Sequence, residues 1–576
     1  MHKSLTATAL LLALASLPTQ AEFAVNAQTE GDQGDSYNCT NESGRSVIVW
    51  RSSRDESSGY ASCGRVIDAY GNYLSDEFRV HTYFLRNQMY PCVSLDAASN
   101  FLCTWDSYNQ DGTVYSVFGQ WYTPDVVRDG PEFCQHVTTE GNQIHSNTAM
   151  WPDGSYLIVW QSYGHDGDGW GVYGQRYGAD RNMVGPEFRL SAMTADHQQY
   201  PTVSAFDDGR FVVSWDTWDP SWNPIGVYGR VFDADGAPLT GDIACSSGTS
   251  GANWARCATV GDNFAVAWEA ADSSGLGVYA ALFDVSGARI RGPWRANTYT
   301  PNHQENMNIS AKSDGVFIVV WESQYQDGSE YGVYGQAYWP DGTPLGSEFR
   351  GSTTTASGQH NPCISLDDYG RFVLSWSYND PVTHWDVHGD VLRLSLSPEW
   401  TAGWQLVSIP VDSPDFSMSA VFDDVTAAGN SLLNNLYRYV PGTGYQVYPG
   451  PFASPDRRDG YWLYLTQPAR EVGCGRVSGQ AEAIPLLQGW NLVGYPHVTP
   501  GPWADCSVDR YGQVKTIAEA AAAGWIQEAA FYYDGAYRSV VPFPPGDDTQ
   551  LRPWRGYWVL ANTTGLTLLV APPDEY

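Results

Sequence analysis

Residues 22–29 read EFAVNAQT. The phrase returns as EFRVHTYF from Glu77, EFRLSAMT from Glu187 and EFRGSTTT from Glu348, each time as the tail of a longer unit. Seven strand-like runs ending in Trp set the period: SVIVW, FLCTW, YLIVW, FVVSW, FAVAW, FIVVW and FVLSW. Their tryptophans are Trp50, Trp105, Trp160, Trp215, Trp268, Trp321 and Trp376, spaced by 55, 55, 55, 53, 53 and 55 residues. A second strand signal follows each (ASCGR, SVFGQ, GVYGQ and their kin), then a turn such as DADGAPLTG and a third strand. A fourth strand, as in YPCVSLDAASN, precedes each Trp run. Four short strands per unit, punctuated by Asp-Gly turns, are the pattern of a propeller blade.

With the strand before the Trp run innermost, the "EF" strand is outermost. Its copies start at Glu22, Glu77, Glu132, Glu187, Asp242, Trp294 and Glu348. The last unit, FVLSWSYNDPVTHWDVHGDVLRL, ends without one, and Glu22–Ala27 is the strand it lacks. The sequence therefore predicts an all-β chain: a seven-bladed β-propeller over 22–396, closed by an N-terminal strand that hides two sheet edges. The repeat FIVVWESQYQDGSEYGVYGQAYWPDGTPLGSEFR resembles the tandem repeats of bacterial surface and secreted propeller proteins. That resemblance implies architecture; such propellers serve binding, adhesion and enzymes alike. No SxDxGxTW box is present, so no glycosidase role follows from it.

After Leu396 the period stops. GWQLVSIPV at Gly403 matches GWNLVGYPHV at Gly489, LYRYVPGTGYQVY matches FYYDGAYRSV, and DGYWLYLT matches RGYWVLAN. Two β-rich modules, 397–484 and 485–576, each with a short helix (within 419–435 and 514–529), are expected. They resemble the GWNLVGYP…GYW modules at the C-termini of exported bacterial and archaeal proteins; attachment or independent ligand binding are both open.

The first residues, MHKSLTATALLLALASLPTQA, read as a secretory signal peptide (1–21), too short in its apolar core to span a bilayer. The expected location is secreted, extracellular or at the cell surface, with no transmembrane segment. Removing Lys3 with the signal moves the formal charge from −33 to −34. Such a balance argues against nucleic acid as a partner. Ten cysteines in an exported chain make disulfides an expectation. Candidates are Cys92–Cys103, Cys245–Cys257 and, across the ring closure, Cys39–Cys363; Cys39, Cys92, Cys257 and Cys363 are read as one repeat position.

For function, the loops between second and third strands mix Tyr108, Tyr163, Trp218, Trp222, Tyr325 and Tyr378 with Asp111, Asp166, Asp168 and Asp327. Aromatic planes beside carboxylates and amides suit a sugar, whose C–H face stacks while its hydroxyls pair. The competing reading is ordinary Asp-Gly turn chemistry with aromatics covering neighbouring blades. An amide recurs at Gln33, Gln88, Gln143, Gln198, Asn253, Gln304 and Gln359, read as a latch between blades. Beside it sit His145, His197, His303 and His360, which with Asp32 could hold a transition metal if one channel mouth gathers them. Asp166 and Asp168 could lend oxygens to Ca²⁺, and the acidic loop recurs at Asp55, Asp111, Asp272, Asp327 and Asp380. No nucleophile elbow, phosphate loop or zinc-protease helix is present. The leading expectation is a binding or adhesion protein with a glycan, or else a surface protein, as partner. The alternatives are a polysaccharide lyase or hydrolase using the same face, and a structural scaffold.

Overall fold

A computed structural model describes residues 22–573 except 54–58, 139–140, 381, 383, 414–416, 451, 453 and 544–547. The signal-peptide expectation for 1–21 and the loop acid Asp55 lie outside the described residues. The architecture is all-β, with four-stranded antiparallel sheets following one another in chain order as a β-propeller. In sheet one the strands are Gln33–Thr40, Ser46–Ser52, Ala61–Ile67 and Phe78–Arg79, from the inside out. Sheets two to six repeat that order, with inner strands Gln88–Leu95, Gln143–Met150, His197–Ala205, Asn253–Val260 and Gln304–Ala311. The inner strands of successive sheets pack together, and that of sheet seven, Gln359–Leu366, packs against sheet one.

Sheet seven borrows its outer strand from the other end of the chain. Phe23 pairs with Gly389 and Ala24 with His388, so the EF phrase at residue 22 does complete the last unit. The Glu of this phrase has a defined role. Glu22 accepts the backbone N–H groups of Thr353 (3.1 Å) and Thr354 (3.0 Å) from the end of sheet six. Glu77, Glu187, Asp242 and Glu348 do the same for Ala27, Val137, Ala192 and Thr298 of the sheet before them. The Phe of the phrase explains a glycine: the ring of Phe78 lies over Gly64, and that of Phe349 over Gly335. A Cβ at either would stand 2.7 Å from the ring, too close to fit.

All seven repeat tryptophans are fully buried, each worth roughly 4–6 kcal/mol of gross burial before ordering entropy. The recurrent Gln latches two sheets in part of the ring: Gln198, Gln304 and Gln359 accept from Ser191, Asn297 and Ser352 at the end of the preceding sheet, whereas in sheets one to three it anchors the Trp of its own sheet. Gln33, Gln88 and Gln143 accept the indole N–H of Trp50, Trp105 and Trp160 at 3.1, 2.8 and 3.1 Å. Their register equivalent in sheet five is Ala252, one residue before Asn253, and Trp268 bonds Thr249 there instead.

None of the ten cysteines is in a disulfide. Register explains the first case: Cys92 faces Thr104 while Val93 faces Cys103, so Cys92 and Cys103 project from opposite faces of their sheet. The shared repeat position also needs correcting. Cys92 and Cys363 are equivalent, opposite Thr104 and Ser375, but their counterparts in sheets one and five are Tyr37 and Arg256. Cys245 and Cys257 both lie in the apolar packing between sheets four and five as free thiols.

Beyond Leu396 the chain forms two further β-units whose boundary with the propeller is not a clean cut. Val472–Gly475 returns to pair with Arg393–Leu396 as a fifth strand of sheet seven. Arg476 pairs with Asp390, both buried, and the Trp554 indole donates to Ser395 at 2.9 Å. The first unit has two short helices, Met418–Val421 and Asp423–Ala427, and the second has Ile517–Ala522, capped by Thr516 and Glu519. The two units meet through Leu406, Leu492 and Trp558, with Tyr439, Trp462, Phe531 and Tyr533 packed around them.

Candidate ligand site at the mouth of the central channel

One residue of each inner strand sits on a β-bulge facing the channel: Asp35, Tyr90, His145, Tyr200, Trp254, Asn306 and Asn361. All seven adopt left-handed backbone, with φ between 49 and 56°. A non-glycine residue there is strained by roughly 1 kcal/mol or more, so seven in one ring call for a device that holds them.

For six of the seven that device is the side chain following a repeat Trp; the exception is Tyr90, since Arg51 after Trp50 carries no acceptor and pairs with Asp35. Asp106 accepts the His145 N–H at 2.9 Å, Gln161 that of Tyr200 at 2.8 Å, and Asp216 those of Trp254 and Ala255 at 2.7 and 2.8 Å. Glu269 and Glu322 accept from Asn306 (3.1 Å) and Asn361 (2.6 Å), and the Ser377 hydroxyl from Asp35 (3.2 Å). Burial raises three of these carboxyls: Asp106 well above its usual range, Asp216 to about 7 and Glu269 to about 8. These acids are committed to backbone and do not face a ligand.

What does face the channel falls into two arcs. Tyr90, His145, Tyr200 and Trp254 form a continuous aromatic arc, with successive ring centroids 4.6, 4.9 and 4.7 Å apart. Asn306, Asn361 and Asp35 complete the rim; Asn361 donates to Asp35 at 3.2 Å, and Asp35 pairs with Arg51 at 2.7 Å. Below lies a second ring of Tyr37, Cys92, Asn147, Thr202, Arg256, Asn308 and Cys363. Asn147 reaches across to the Tyr37 hydroxyl at 3.0 Å and narrows the channel. Together they enclose a cup of about 410 Å³, within the range of small-molecule sites.

Arg256 carries the unspent charge of this cup. Its Nη1 donates to the Ala255 carbonyl at 2.9 Å, while its buried Nε–H has no partner. His145 beside it is driven down to about 4, first by burial and then by the Arg256 charge, and is therefore a neutral imidazole near pH 7. Asp35 is raised by burial against the pull of Arg51. The cup thus offers flat apolar ring faces, amide groups, a neutral imidazole and a guanidinium that is short of an acceptor.

Of the ligand and metal candidates singled out from sequence, only His145 lines this cup; Cys92 and Cys363, expected in disulfides, lie in its second ring. His197 stacks on Trp222 (4.6 Å), His303 lies 4.0 Å from Glu305, and His360 bonds Glu322 at 3.2 Å, so the four imidazoles do not converge. Tyr163 at a strand end and Trp222 and Tyr325 on loops are exposed outside the cup; Tyr108 packs edge-on against Tyr115, and Trp218 is half-buried at the end of a strand in sheet four. Asp111 and Asp327 cap their own turns through Thr113 and Ser329, and Asp166 accepts from the Asp168 N–H at 3.4 Å. Neither cluster of potential metal ligands among the described residues contains Asp166, Asp168 or any of the four histidines. Tyr90, Tyr200, Trp254 and Arg256 went unmarked in the sequence. Their signal is positional: the residue just inside the recurrent Gln reads Asp, Tyr, His, Tyr, Trp, Asn and Asn in a unit that is otherwise constant.

No family model and no curated protein matches the chain. Solved structures similar to it include a protein of unknown function from Dyadobacter fermentans, 11% identical with a TM-score of 0.41, covering 65% of this chain and 99% of that one. Another is the α-L-arabinofuranosidase Arb93A from Fusarium graminearum, 10% identical with a TM-score of 0.38, covering 65% and 98%. A thermostable family-43 glycoside hydrolase is 16% identical with a TM-score of 0.31, covering 49% and 100%. None is similar enough to hand a site on to this chain.

Proposed function

We propose that this is an exported, seven-bladed propeller whose channel mouth binds an acidic glycan, with the blades over 22–396 and the two C-terminal units at 397–484 and 485–576 holding or extending it. The observation that carries this is the unsatisfied Arg256 guanidinium at the floor of an aromatic arc. A sugar ring stacks its C–H face on Trp254 or Tyr200, amides of Asn306 and Asn361 pair its hydroxyls, and a carboxylate substituent takes the free guanidinium edge. A neutral sugar leaves that edge empty.

The test is calorimetry of the full chain with uronic-acid oligosaccharides and their neutral counterparts. Arg256→Gln should weaken the acidic ligand roughly 10- to 100-fold, the worth of a charge-assisted hydrogen bond, and leave neutral sugars unchanged. No binding to any acidic oligosaccharide, or affinity indifferent to both Arg256→Gln and Trp254→Ala, would sink the reading.

A second reading, turnover of the bound glycan, is favoured by one feature: a neutral His145 held between the Tyr90 and Tyr200 rings beside Arg256. A neutral imidazole can take a proton from the carbon next to a carboxylate whose charge Arg256 offsets, with a tyrosine hydroxyl protonating the departing oxygen; this is eliminative cleavage. Hydrolysis with two carboxyls is less well supported, since Asp35 is the one carboxyl lining the cup. Unsaturated product from an acidic polysaccharide, lost in His145→Ala, would separate a lyase from a lectin.

A further inference from the structure

Sheet two breaks a rule that its neighbours keep. At the third position of the outer-strand phrase, sheets one, three, five and six carry Arg79, Arg189, Arg295 and Arg350, each set opposite the third strand in the same register. In sheets three and five that guanidinium neutralises the Asp of the adjacent loop. Arg189 lies 3.9 Å from Asp166, and Arg295 contacts Asp272 directly. Sheet two has the loop acid, Asp111, but the register equivalent of the arginine is Cys134, opposite Phe118. Two residues on, where sheets three and six have Ser191 and Ser352, it has His136; sheet one has His81 there, but beside Arg79 rather than a thiol.

The substitution replaces a cation by a thiol, and sets that thiol beside a histidine and a carboxylate. We propose that Asp111, Cys134 and His136 form a binding site for a divalent transition-metal ion of the zinc class, which takes the place of the arginine charge found in the sister sheets. Their ligand atoms all lie within 4.8 Å of one another. Cys134 Sγ and His136 Nε2 are 3.4 Å apart. A tetrahedral ion with bonds of about 2.3 Å to sulfur and about 2.0–2.1 Å to nitrogen sets those two atoms about 3.5 Å apart.

The supporting shell is in place as well. His136 is buried, and its Nδ1 bonds the Thr138 carbonyl at 2.6 Å; that fixes Nδ1 as the protonated nitrogen and leaves the Nε2 lone pair toward Cys134. Asp111 is oriented by the Thr113 and Ser116 hydroxyls at 2.7 and 2.6 Å. A mixed S, N, O set suits zinc over calcium or magnesium, and three protein ligands leave a fourth position for water or a further donor. On binding, the Cys134 thiol gives its proton to solvent and the sulfur becomes a thiolate ligand, so thiolate and carboxylate together balance the divalent charge. The site lies on a second-to-third strand loop and an outer strand, away from the cup, and does not depend on the glycan reading.

The experiment is titration of the full chain, stripped with a chelator, with Co²⁺ as a spectroscopic stand-in for Zn²⁺. One equivalent should raise a sulfur-to-cobalt charge-transfer band together with the visible bands of a four-coordinate ion, and Zn²⁺ should bleach both. Cys134→Ser should abolish the charge-transfer band. Cys134→Arg, which restores the residue of four sister sheets, should fold, bind no cobalt and melt at a temperature indifferent to Zn²⁺, while the parent melts higher with it. If Cys134→Ser fails to fold, Cys134→Arg still decides the matter. No charge-transfer band in the parent, or a band that survives in Cys134→Arg and so comes from another cysteine, would overturn the site.

Discussion

The inner and outer rims of the propeller use one device and give it opposite electrostatics. At both, a carboxyl from one sheet accepts backbone N–H groups of a neighbouring sheet. On the outer rim, burial alone would raise Glu22, but His388, Thr353 and Thr354 outweigh it and hold the carboxyl at about 2. On the inner rim, Glu269 accepts a single N–H at 3.1 Å among other acids, and burial lifts it to about 8. The number and charge of donors, rather than depth, decide which way the group goes. Glu22 therefore fastens the outer rim as an anion, and Glu269 the inner rim as a largely neutral acid.

This difference predicts two pH windows of opposite sign. Glu22 titrates lower in the fold than its ordinary value of 4.5, so its contribution is complete above that value and is lost as pH falls toward about 2. A displacement of this size corresponds to about 3 kcal/mol. Glu22→Ala should lower stability by that order at pH 7 and flatten the acid limb of the denaturation profile; an unchanged acid limb would show that the ring is not fastened there. Glu269 titrates higher than its ordinary 4.5, so its contribution is complete below that value and declines as pH rises through about 8. Glu269→Gln should remove this decline, which is on the order of 2 kcal/mol or more. It should do so without loosening the bulge, because Gln161 already holds Tyr200 with a neutral amide at 2.8 Å. A urea series from pH 5 to 9 reads the effect. A parent whose stability is flat across that range would break the contrast between the rims.

The same contrast explains what the sequence made visible. Four strands per unit, the buried tryptophans and the borrowed outer strand were all legible, because periodic hydrophobic pattern is local and the EF phrase names its own place. The site was not. Tyr90, His145, Tyr200 and Trp254 are distant in sequence and meet only because the ring brings equivalent positions together; nothing in any one unit marks them. The exposed aromatics Tyr163, Trp222 and Tyr325 attracted notice by composition, yet composition does not say which residues share a cavity. The four histidines failed as a set for a related reason: their offsets from the bulge differ, so one faces the channel and the others pair with Trp222, Glu305 and Glu322. Disulfides were expected from a cysteine count, and the alternation of strand faces separates Cys92 from Cys103.

The smallest effect tests whether the repeat is as uniform energetically as it is in sequence. In sheets one to three the buried indole N–H donates to a Gln, whereas those of Trp215, Trp321 and Trp376 have no partner. Gln198, Gln304 and Gln359 have turned their side-chain oxygens to Ser191, Asn297 and Ser352 instead. Gln88→Ala should then strand the Trp105 donor as well as the link carbonyl, costing roughly 1–2 kcal/mol. Gln359→Ala, which orphans no indole, should cost about half as much. Thermal melts of the two variants give the comparison directly. Equal losses would mean that the glutamines act through their link-carbonyl bonds alone, and that the tryptophans hold their places by packing.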